Sequence, residues 1–260
     1  MPQILKDILI EKFDGKNFNE LKDIVILESR VSIYLNGEKS ISTMCIPIDM
    51  DAHAVGFLMA EGVIKDIDDI ESINIDEQNL KIEIEAKIDE ENLQNLYKEK
   101  TLVSGCGGGV TGNSESFTYI DFNDTKFSVT PKYINDNINK FYEDSELYKK
   151  TGCVHKAMLI LEDETKLVAE DIGRHNAIDK AVGKAKLKKL DTKKSILMVS
   201  GRLSSEMVIK AVMHRLPIVV SRTAPTFLGV KTALEHGITL IGFARGRKMN
   251  IYTHSGRIVC

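Results

Sequence analysis

The sequence has only four cysteines, Cys45, Cys106, Cys153 and Cys260, and no two of them form a CxxC pair. This wide and irregular spacing is not that of a structural zinc site or of a disulfide framework. Free thiols in a reducing compartment are the expectation that fits the spacing.

Other features that are missing narrow the class of protein further. No apolar run approaches the roughly 18 residues of a membrane-spanning helix, and residues 1–12 lack the apolar core of a signal peptide. The formal net charge is only −3, so the chain has no global basic surface for nucleic acid. We therefore expect a cytoplasmic protein that binds neither a membrane nor nucleic acid.

The content of hydrophobic residues, 43% over 260 residues, is enough for one large domain or two lobes. In the first hundred residues, alternating apolar segments predict strands, the first of them over Asp23–Ser29, with Asn36-Gly37 as a hairpin turn. A helix is predicted from Met50 to Gly62, with Asp49 as its cap. We expect residues 1–100 to form a small α+β lobe and residues 101–130 to form a glycine-rich active loop and connection.

Residues 131–260 alternate regularly between helical and extended patterns. Their predicted order is αββαβαβαβ, beginning with one helix over Pro131–Lys150 and including a helix over Arg174–Leu187. Short connections between these elements favour an α/β domain with three layers, in which one sheet has helices on both faces. Cytidine deaminases share this order, so we predict a cytidine-deaminase-like domain.

The zinc site of those deaminases is not present in the sequence. Their chemistry needs His-x-Glu at one helix start and Pro-Cys-x-x-Cys at the next. Here the two positions read His175-Asn176-Ala177 and Leu203-Ser204-Ser205-Glu206. We therefore expect the scaffold without the metal and without deamination.

Cys106 is the best candidate for a reactive residue. It lies in Ser104-Gly105-Cys106-Gly107-Gly108-Gly109, a segment dense in glycine that predicts a mobile loop. Glycine neighbours leave the sulfur accessible and leave backbone N–H groups free to stabilise a thiolate. A cysteine that falls by chance in a flexible loop explains the segment equally well.

The other cysteines have weaker claims. Cys153 has a potential base nearby in His155, but we expect a packed cysteine at the edge of the sheet, because residues two apart on a strand share a face without touching. Cys45 is predicted to lie in the core and Cys260 at a frayed end.

Two predicted strand–helix junctions each contain an arginine. Glu170–Lys180 contains Arg174 and His175 at a helix start, and Ser200-Gly201-Arg202 repeats the arrangement at the next junction. Helix starts at the carboxyl ends of strands are common sites for anions. Each junction alone is explained by an ordinary cap with a surface ion pair, but the two together favour a polar pocket.

A third basic segment follows the predicted strand Thr239–Phe243. It reads Phe243-Ala244-Arg245-Gly246-Arg247-Lys248, and its guanidinium groups suit phosphates. On charge alone, a solvated basic turn explains the segment as well.

Together these segments resemble the formate dehydrogenase accessory sulfurtransferase family, FdhD. The matching stretches keep their order from about residue 40 to the C-terminus: Gly56–Gly62, the Cys106 loop, Glu170–Lys180, Ser200–Arg202 with Ser205–Met207, Thr223–Thr226 and Thr239–Tyr252.

The resemblance implies a sulfurtransferase that carries a persulfide on Cys106. It would take sulfur from a cysteine desulfurase and pass it to the molybdenum cofactor, bis(molybdopterin guanine dinucleotide), for formate dehydrogenase. Phe243, Ala244, Arg245, Gly246, Arg247 and Lys248 would bind this cofactor. A homodimer is expected, because large cofactors are often held between subunits.

One position departs from the family pattern. Many members have Cys-Gly-x-Cys-Gly in the loop, and here Gly109 stands at the second cysteine. Release of sulfur would then depend on attack by the acceptor. Two alternatives stay open, a cofactor chaperone that does no chemistry and a guanine-nucleotide-binding regulator, although the latter lacks a phosphate-binding Gly-x-x-x-x-Gly-Lys-Ser/Thr loop.

Overall fold

The computed structural model describes residues 3–97 and 120–260. Within these ranges the chain forms three β-sheets and seven α-helices. The strands are β1 (Leu5–Phe13), β2 (Phe18–Ile26), β3 (Ser29–Leu35), β4 (Glu38–Cys45), β5 (Ile70–Asp76), β6 (Lys81–Ala86), β7 (His155–Leu161), β8 (Lys166–Asp171), β9 (Ser195–Val199), β10 (Ile218–Ser221), β11 (Thr239–Arg245) and β12 (Lys248–Ile251). The helices are α1 (Met50–Ala60), α2 (Glu90–Tyr97), α3 (Pro131–Glu143), α4 (Glu146–Thr151), α5 (Arg174–Leu187), α6 (Ser205–Met213) and α7 (Phe227–Glu235).

The largest sheet has six strands in the order β12-β11-β10-β9-β7-β8. Strands β9, β10 and β11 run parallel, and β7 runs antiparallel to β9. Alternate strand residues face opposite sides. Leu197 and Val219 pack with α5, α6 and α7, whereas Met198 and Val220 pack with α3. The three layers that the sequence predicts are therefore confirmed.

The four-stranded sheet of the N-terminal part has the order β4-β3-β6-β5. Its apolar face packs against α1, and the opposite side of α1 lies against α5 of the larger sheet. Gly56 and Gly183 make this crossing possible, because a Cβ atom on either would overlap a backbone carbonyl oxygen of the other helix. Helix α1 is therefore buried almost all round.

The Asn36-Gly37 turn is confirmed. Both residues have positive φ, 50° and 81°, and they join β3 to β4. This is the backbone that the right-handed twist of the flanking strands favours in a two-residue hairpin.

Three local predictions are wrong. The helix expected over Pro131–Lys150 is two helices, α3 and α4, that break at Asp144 and Ser145. Asp49 is at the N-cap position of α1, but its side chain makes no capping bond, because its backbone is left-handed and its carboxylate pairs with Lys184 at 2.6 Å. The ribbon of β1 and β2 extends well before the predicted strand at Asp23, since most of its side chains are exposed and give no clear apolar period.

No helix in the described part of the chain is long and apolar enough to span a membrane.

Candidate functional site

One edge of the large sheet collects the polar residues that the sequence singles out. Strands β9, β10 and β11 end at this edge, and β8 ends there as well, because it is antiparallel to β7. In such sheets, ligands bind beyond the carboxyl ends of the strands. The hydroxyls of Ser221 and Thr223 both donate to the carbonyl oxygen of Gly201, at 2.9 and 2.8 Å, so the ends of β9 and β10 are held together.

The two predicted arginine junctions meet here. Gly201 lies against Arg174, since a Cβ atom on Gly201 would come within 3.1 Å of the Arg174 Cδ. Arg174 is buried, with 9% of its surface exposed, whereas Arg202 is exposed. The two junctions therefore lie side by side, one with a buried and one with an exposed guanidinium group, and the polar pocket expected there stays a prediction.

Two histidines line the same edge. The His175 Nε2 lies 3.4 Å from a carboxylate oxygen of Glu206, and both side chains are largely buried. Burial lowers the pKa of His175, although Glu206 raises it in part. The His155 Nδ1 lies 3.1 Å from the Ser200 hydroxyl, and burial, then Arg174, lowers the pKa of His155. The edge therefore combines neutral imidazoles at neutral pH with permanent cations.

The basic segment after β11 is a hairpin end and not a free loop. Strand β11 continues to Arg245 and β12 begins at Lys248, so Gly246 and Arg247 form the turn. Gly246 has φ of 59°, where a side chain would be strained. Ala244 is buried against α3, whereas the side chains of Phe243, Arg245, Arg247 and Lys248 are exposed.

Arg222, just after β10, is a cation that sequence reasoning missed. Its Cζ lies 4.5 Å from the centroid of the Tyr142 ring, and its carbonyl oxygen accepts a bond from the Arg245 Nε at 3.1 Å. Ser221-Arg222 follows a strand in the same way as Ser200-Gly201-Arg202, and that repeated pattern is the signal that could have found it.

Five cations of this edge have no salt bridge to a carboxylate of the described residues. In residues 3–97 and 120–260, no carboxylate forms a salt bridge with Arg202, Arg222, Arg245, Arg247 or Lys248. Guanidinium groups without carboxylate partners, at the carboxyl edge of a sheet, are suited to bind phosphate oxygens.

Most of the Glu170–Lys180 motif has a structural role. The Lys180 Nζ bonds to Asp171 at 2.6 Å and to the Ile46 carbonyl oxygen at 2.7 Å, with no solvent exposure of either side chain. Asp171 also accepts from the Ile46 amide at 3.0 Å, and Asn176 donates to the Met44 carbonyl oxygen at 3.0 Å. These residues tie the end of β4 to α5, so only Arg174 and His175 of the motif face the site.

The two helix starts compared with the deaminase zinc motif in the sequence carry the His175–Glu206 pair. In the described ranges, no three His, Cys, Asp or Glu side chains are grouped to hold a metal ion.

A comparison with protein families decides the class of protein. The FdhD/NarQ family model matches residues 26–259. The chain belongs to the FdhD/NarQ family.

Individual relatives match this FdhD/NarQ protein over nine-tenths or more of their lengths. A sulfur carrier protein FdhD from Wolinella succinogenes is 55% identical over 257 residues, which is 98% of this chain and 90% of the relative. One from Geobacillus kaustophilus is 33% identical over 96% of this chain and 95% of its own. A crystal structure from Desulfotalea psychrophila, assigned as a formate dehydrogenase accessory protein, matches with a TM-score of 0.82 and 26% identity, covering 99% of this chain and 100% of that one.

The cysteines of the FdhD/NarQ protein that the structure describes differ in their exposure to solvent. Cys106 lies outside the described residues. Cys45 is buried, as expected, and burial raises its pKa to about 12. The prediction that Cys153 is packed at the sheet edge is wrong: it is exposed and precedes β7. Cys260 is exposed.

Proposed function

We propose that this protein is a sulfur carrier that serves formate dehydrogenase. The observation that carries the proposal is the 55% identity to a sulfur carrier protein FdhD over 98% of the chain. The likeness to a formate dehydrogenase accessory protein supports the choice of client.

Cys106 is the proposed acceptor of sulfur. Its thiolate attacks the sulfane sulfur of a cysteine desulfurase persulfide, the sulfur–sulfur bond of that persulfide breaks, and the desulfurase thiolate leaves. The other cysteines fit this role less well, because Cys45 is buried with a raised pKa and Cys260 is the last residue. Glycine at position 109 leaves Cys106 as the only thiol of its loop.

The sulfur acceptor is proposed to be bis(molybdopterin guanine dinucleotide). When bound, this group supplies the metal that receives the sulfur, and it carries phosphates that need cations. Phe243–Lys248 and Arg222 would hold it, because their guanidinium groups lie at one sheet edge and form no salt bridge within the described part of the chain. Arg174, His175 and Arg202 would orient it from the neighbouring junctions.

The scaffold is proposed to be that of the cytidine deaminases with its metal site replaced. The sheet order and the helix starts that carry His175 and Glu206 support this relationship. On this proposal, the His175–Glu206 pair would take the place where those enzymes put zinc ligands.

The sulfur-carrier proposal is tested by mass spectrometry of the Cys106 peptide. After incubation with a cysteine desulfurase and cysteine, we expect the peptide to gain the mass of one sulfur atom. Cys106→Ser should abolish both this gain and support of formate dehydrogenase activity. Cys153→Ser, at a cysteine that the structure shows exposed, should retain both. Full activity of Cys106→Ser would favour a cofactor chaperone instead.

The phosphate-binding part is tested separately by calorimetry with free GDP. Arg245→Ala combined with Arg247→Ala, or Arg222→Ala alone, should weaken GDP binding roughly tenfold or more, as expected for loss of charge-assisted bonds. Arg215→Ala removes an exposed arginine that pairs with Asp121 and should leave GDP binding unchanged. Equal affinity in all variants would contradict the assignment of the site.

A further inference from the structure

The ribbon formed by β1 and β2 has no third strand within the described residues. Its base packs in a small apolar cluster with Leu147 and Val154. Beyond the base, large apolar side chains are exposed: Leu9 to 66%, Phe13 to 56% and Phe18 to 71%. An isolated two-stranded ribbon is only marginally stable, and its unpaired edge is a template for another strand.

Backbone hydrogen bonds show which residues of β2 face the free edge. At one end of the ribbon, the Asp14 amide donates to the Asn17 carbonyl oxygen at 3.1 Å. At the other end, the Leu27 amide donates to the Ile4 carbonyl oxygen at 2.9 Å. Hydrogen-bonded and non-hydrogen-bonded residue pairs alternate along an antiparallel ladder, so the odd-numbered residues of β2 bond to β1. The even-numbered residues of β2, namely Phe18, Glu20, Lys22 and Ile24, direct their N–H and C=O groups outward. The Ile24 amide accordingly donates to the Asp23 carboxylate at 2.9 Å and not to β1.

These outward residues are complementary to themselves. If two copies of β2 pair antiparallel about a two-fold axis at Leu21, each Glu20 lies opposite Lys22 of the second copy. Each Phe18 then lies opposite Ile24 of the second copy, and Leu21 meets its own equivalent. All the hydrogen-bonding pairs in this register join residues whose backbone groups already point outward.

Neighbouring registers fail on charge. Moving the axis by one residue to Glu20 places the two Glu20 carboxylates opposite each other, and moving it to Lys22 places the two ammonium groups opposite each other. Like charges that are directly opposite destabilise a pair of strands. The sequence of β2 therefore selects the register at Leu21.

The register also compensates an unfavourable pair within one copy. Glu11 of β1 lies directly opposite Glu20 of β2, and both side chains are exposed. Pairing at Leu21 adds Lys22 of the second copy to the same row and the same face of the sheet. A cation next to two carboxylates offsets their repulsion.

We propose that β2 joins β2 of a second copy of this chain, so that the two ribbons form one four-stranded antiparallel sheet across a two-fold axis at Leu21. This gives the expected homodimer a specific interface. It is isologous, as the common two-fold dimers are.

The proposal is tested by sedimentation of the full chain and of charge variants. The wild-type protein should be a dimer. Glu20→Lys places lysines opposite lysines and should raise the dissociation constant roughly tenfold or more, and Lys22→Glu should do the same with carboxylates. The double variant Glu20→Lys, Lys22→Glu restores opposite charges and should return the dissociation constant to within about threefold of wild type.

The same series of variants includes controls for unfolding of the ribbon. Glu20→Lys removes the Glu11–Glu20 repulsion, so loss of the dimer in this variant is not explained by an unfolded ribbon. Glu11→Lys removes the same repulsion on the other strand and should leave the dimer intact. A monomeric wild type, a dimer indifferent to Glu20→Lys, or a double variant that stays monomeric would each overturn the proposal.

A cross-link gives an independent measure of the register. Leu21 would lie in a non-hydrogen-bonded pair, where Cα atoms are about 4.5 Å apart, within disulfide reach. With Cys106, Cys153 and Cys260 changed to serine, Leu21→Cys should form a covalent dimer under mild oxidation. Asn19→Cys in the same background should not, and the opposite pattern would overturn the register.

Discussion

Asp171 and Lys180 illustrate how single residues hold the two parts of the molecule together. Their ion pair has no exposure to solvent, and both side chains also bond to the backbone of Ile46. The Asp171 carboxylate accepts two further bonds, from the Gly173 amide and the Asn176 side chain. A buried pair of this kind is costly to break because one uncompensated charge is left behind. In the sequence, the same residues belong to a motif that predicts a ligand site. Their structural role follows only from their contacts with each other and with Ile46.

Lys180→Met should therefore destabilise the protein by about 3–5 kcal/mol, because it leaves the Asp171 carboxylate buried without a cation. Denaturant unfolding at neutral pH measures the loss. Lys189→Met is the matched control, since Lys189 pairs with Asp68 at the surface and its removal should change the unfolding free energy by less than about 0.5 kcal/mol. Equal effects of the two variants would contradict the role given to Asp171 and Lys180.

The crossing of α1 and α5 is the decisive contact between elements. Gly56 and Gly183 let the two backbones approach until only hydrogen atoms separate each glycine from the facing carbonyl oxygen. A buried ion pair, Asp179 with Lys210 at 2.8 Å, extends the contact from α5 to α6. The small sheet, α1 and the large sheet are thus packed in series.

Gly183→Ala should lower the free energy of unfolding by about 1–3 kcal/mol, because the added methyl group overlaps the Ala52 carbonyl oxygen and forces the helices apart. Thermal and denaturant unfolding measure the change. Gly256→Ala, where nothing lies within 4 Å of the added group, should be neutral within about 0.5 kcal/mol. An unaffected Gly183→Ala would show that the helices do not cross so closely.

At the scale of the whole molecule, buried histidines make stability depend on pH. Burial lowers the pKa of His53 to about 4, and burial also lowers the pKa of His214 well below its usual range. His53 is nearly inaccessible at 2% exposure and is surrounded by the charges of Lys180, Asp171, Asp179 and Lys210. These histidines are neutral in the folded chain and bind protons more readily when it unfolds.

Stability should accordingly be greatest above about pH 6.5 and fall as the pH decreases toward 4, because the unfolded state then takes up more protons. His53 alone accounts for about 3 kcal/mol of this loss. Unfolding free energies measured from pH 7 to pH 4 check it. His53→Gln should flatten the dependence by about one proton, and an unchanged slope in this variant would contradict the pKa shift of His53.

Much of the fold could be read from local patterns. The Asn36-Gly37 hairpin, the span of α5 and the alternation of helices and strands from residue 131 depend on turn chemistry and on periodicity, which act over a few residues. Family membership likewise followed from short motifs in fixed order. The division into residues 1–100, 101–130 and 131–260 stays a prediction, as does the role of Cys106.

Long-range packing decided the rest. Arg222 lies next to the basic hairpin because β10 and β11 end side by side. Asp171 has a structural role because β4 ends against α5. The ribbon of β1 and β2 escaped detection because exposure on both faces removes the apolar period that marks a half-buried strand. The sequence by itself determined most of the elements and the family. The tertiary structure decided which polar residues lie at the open sheet edge and which stabilise the fold, because partners distant in the chain set each side chain's burial and charge.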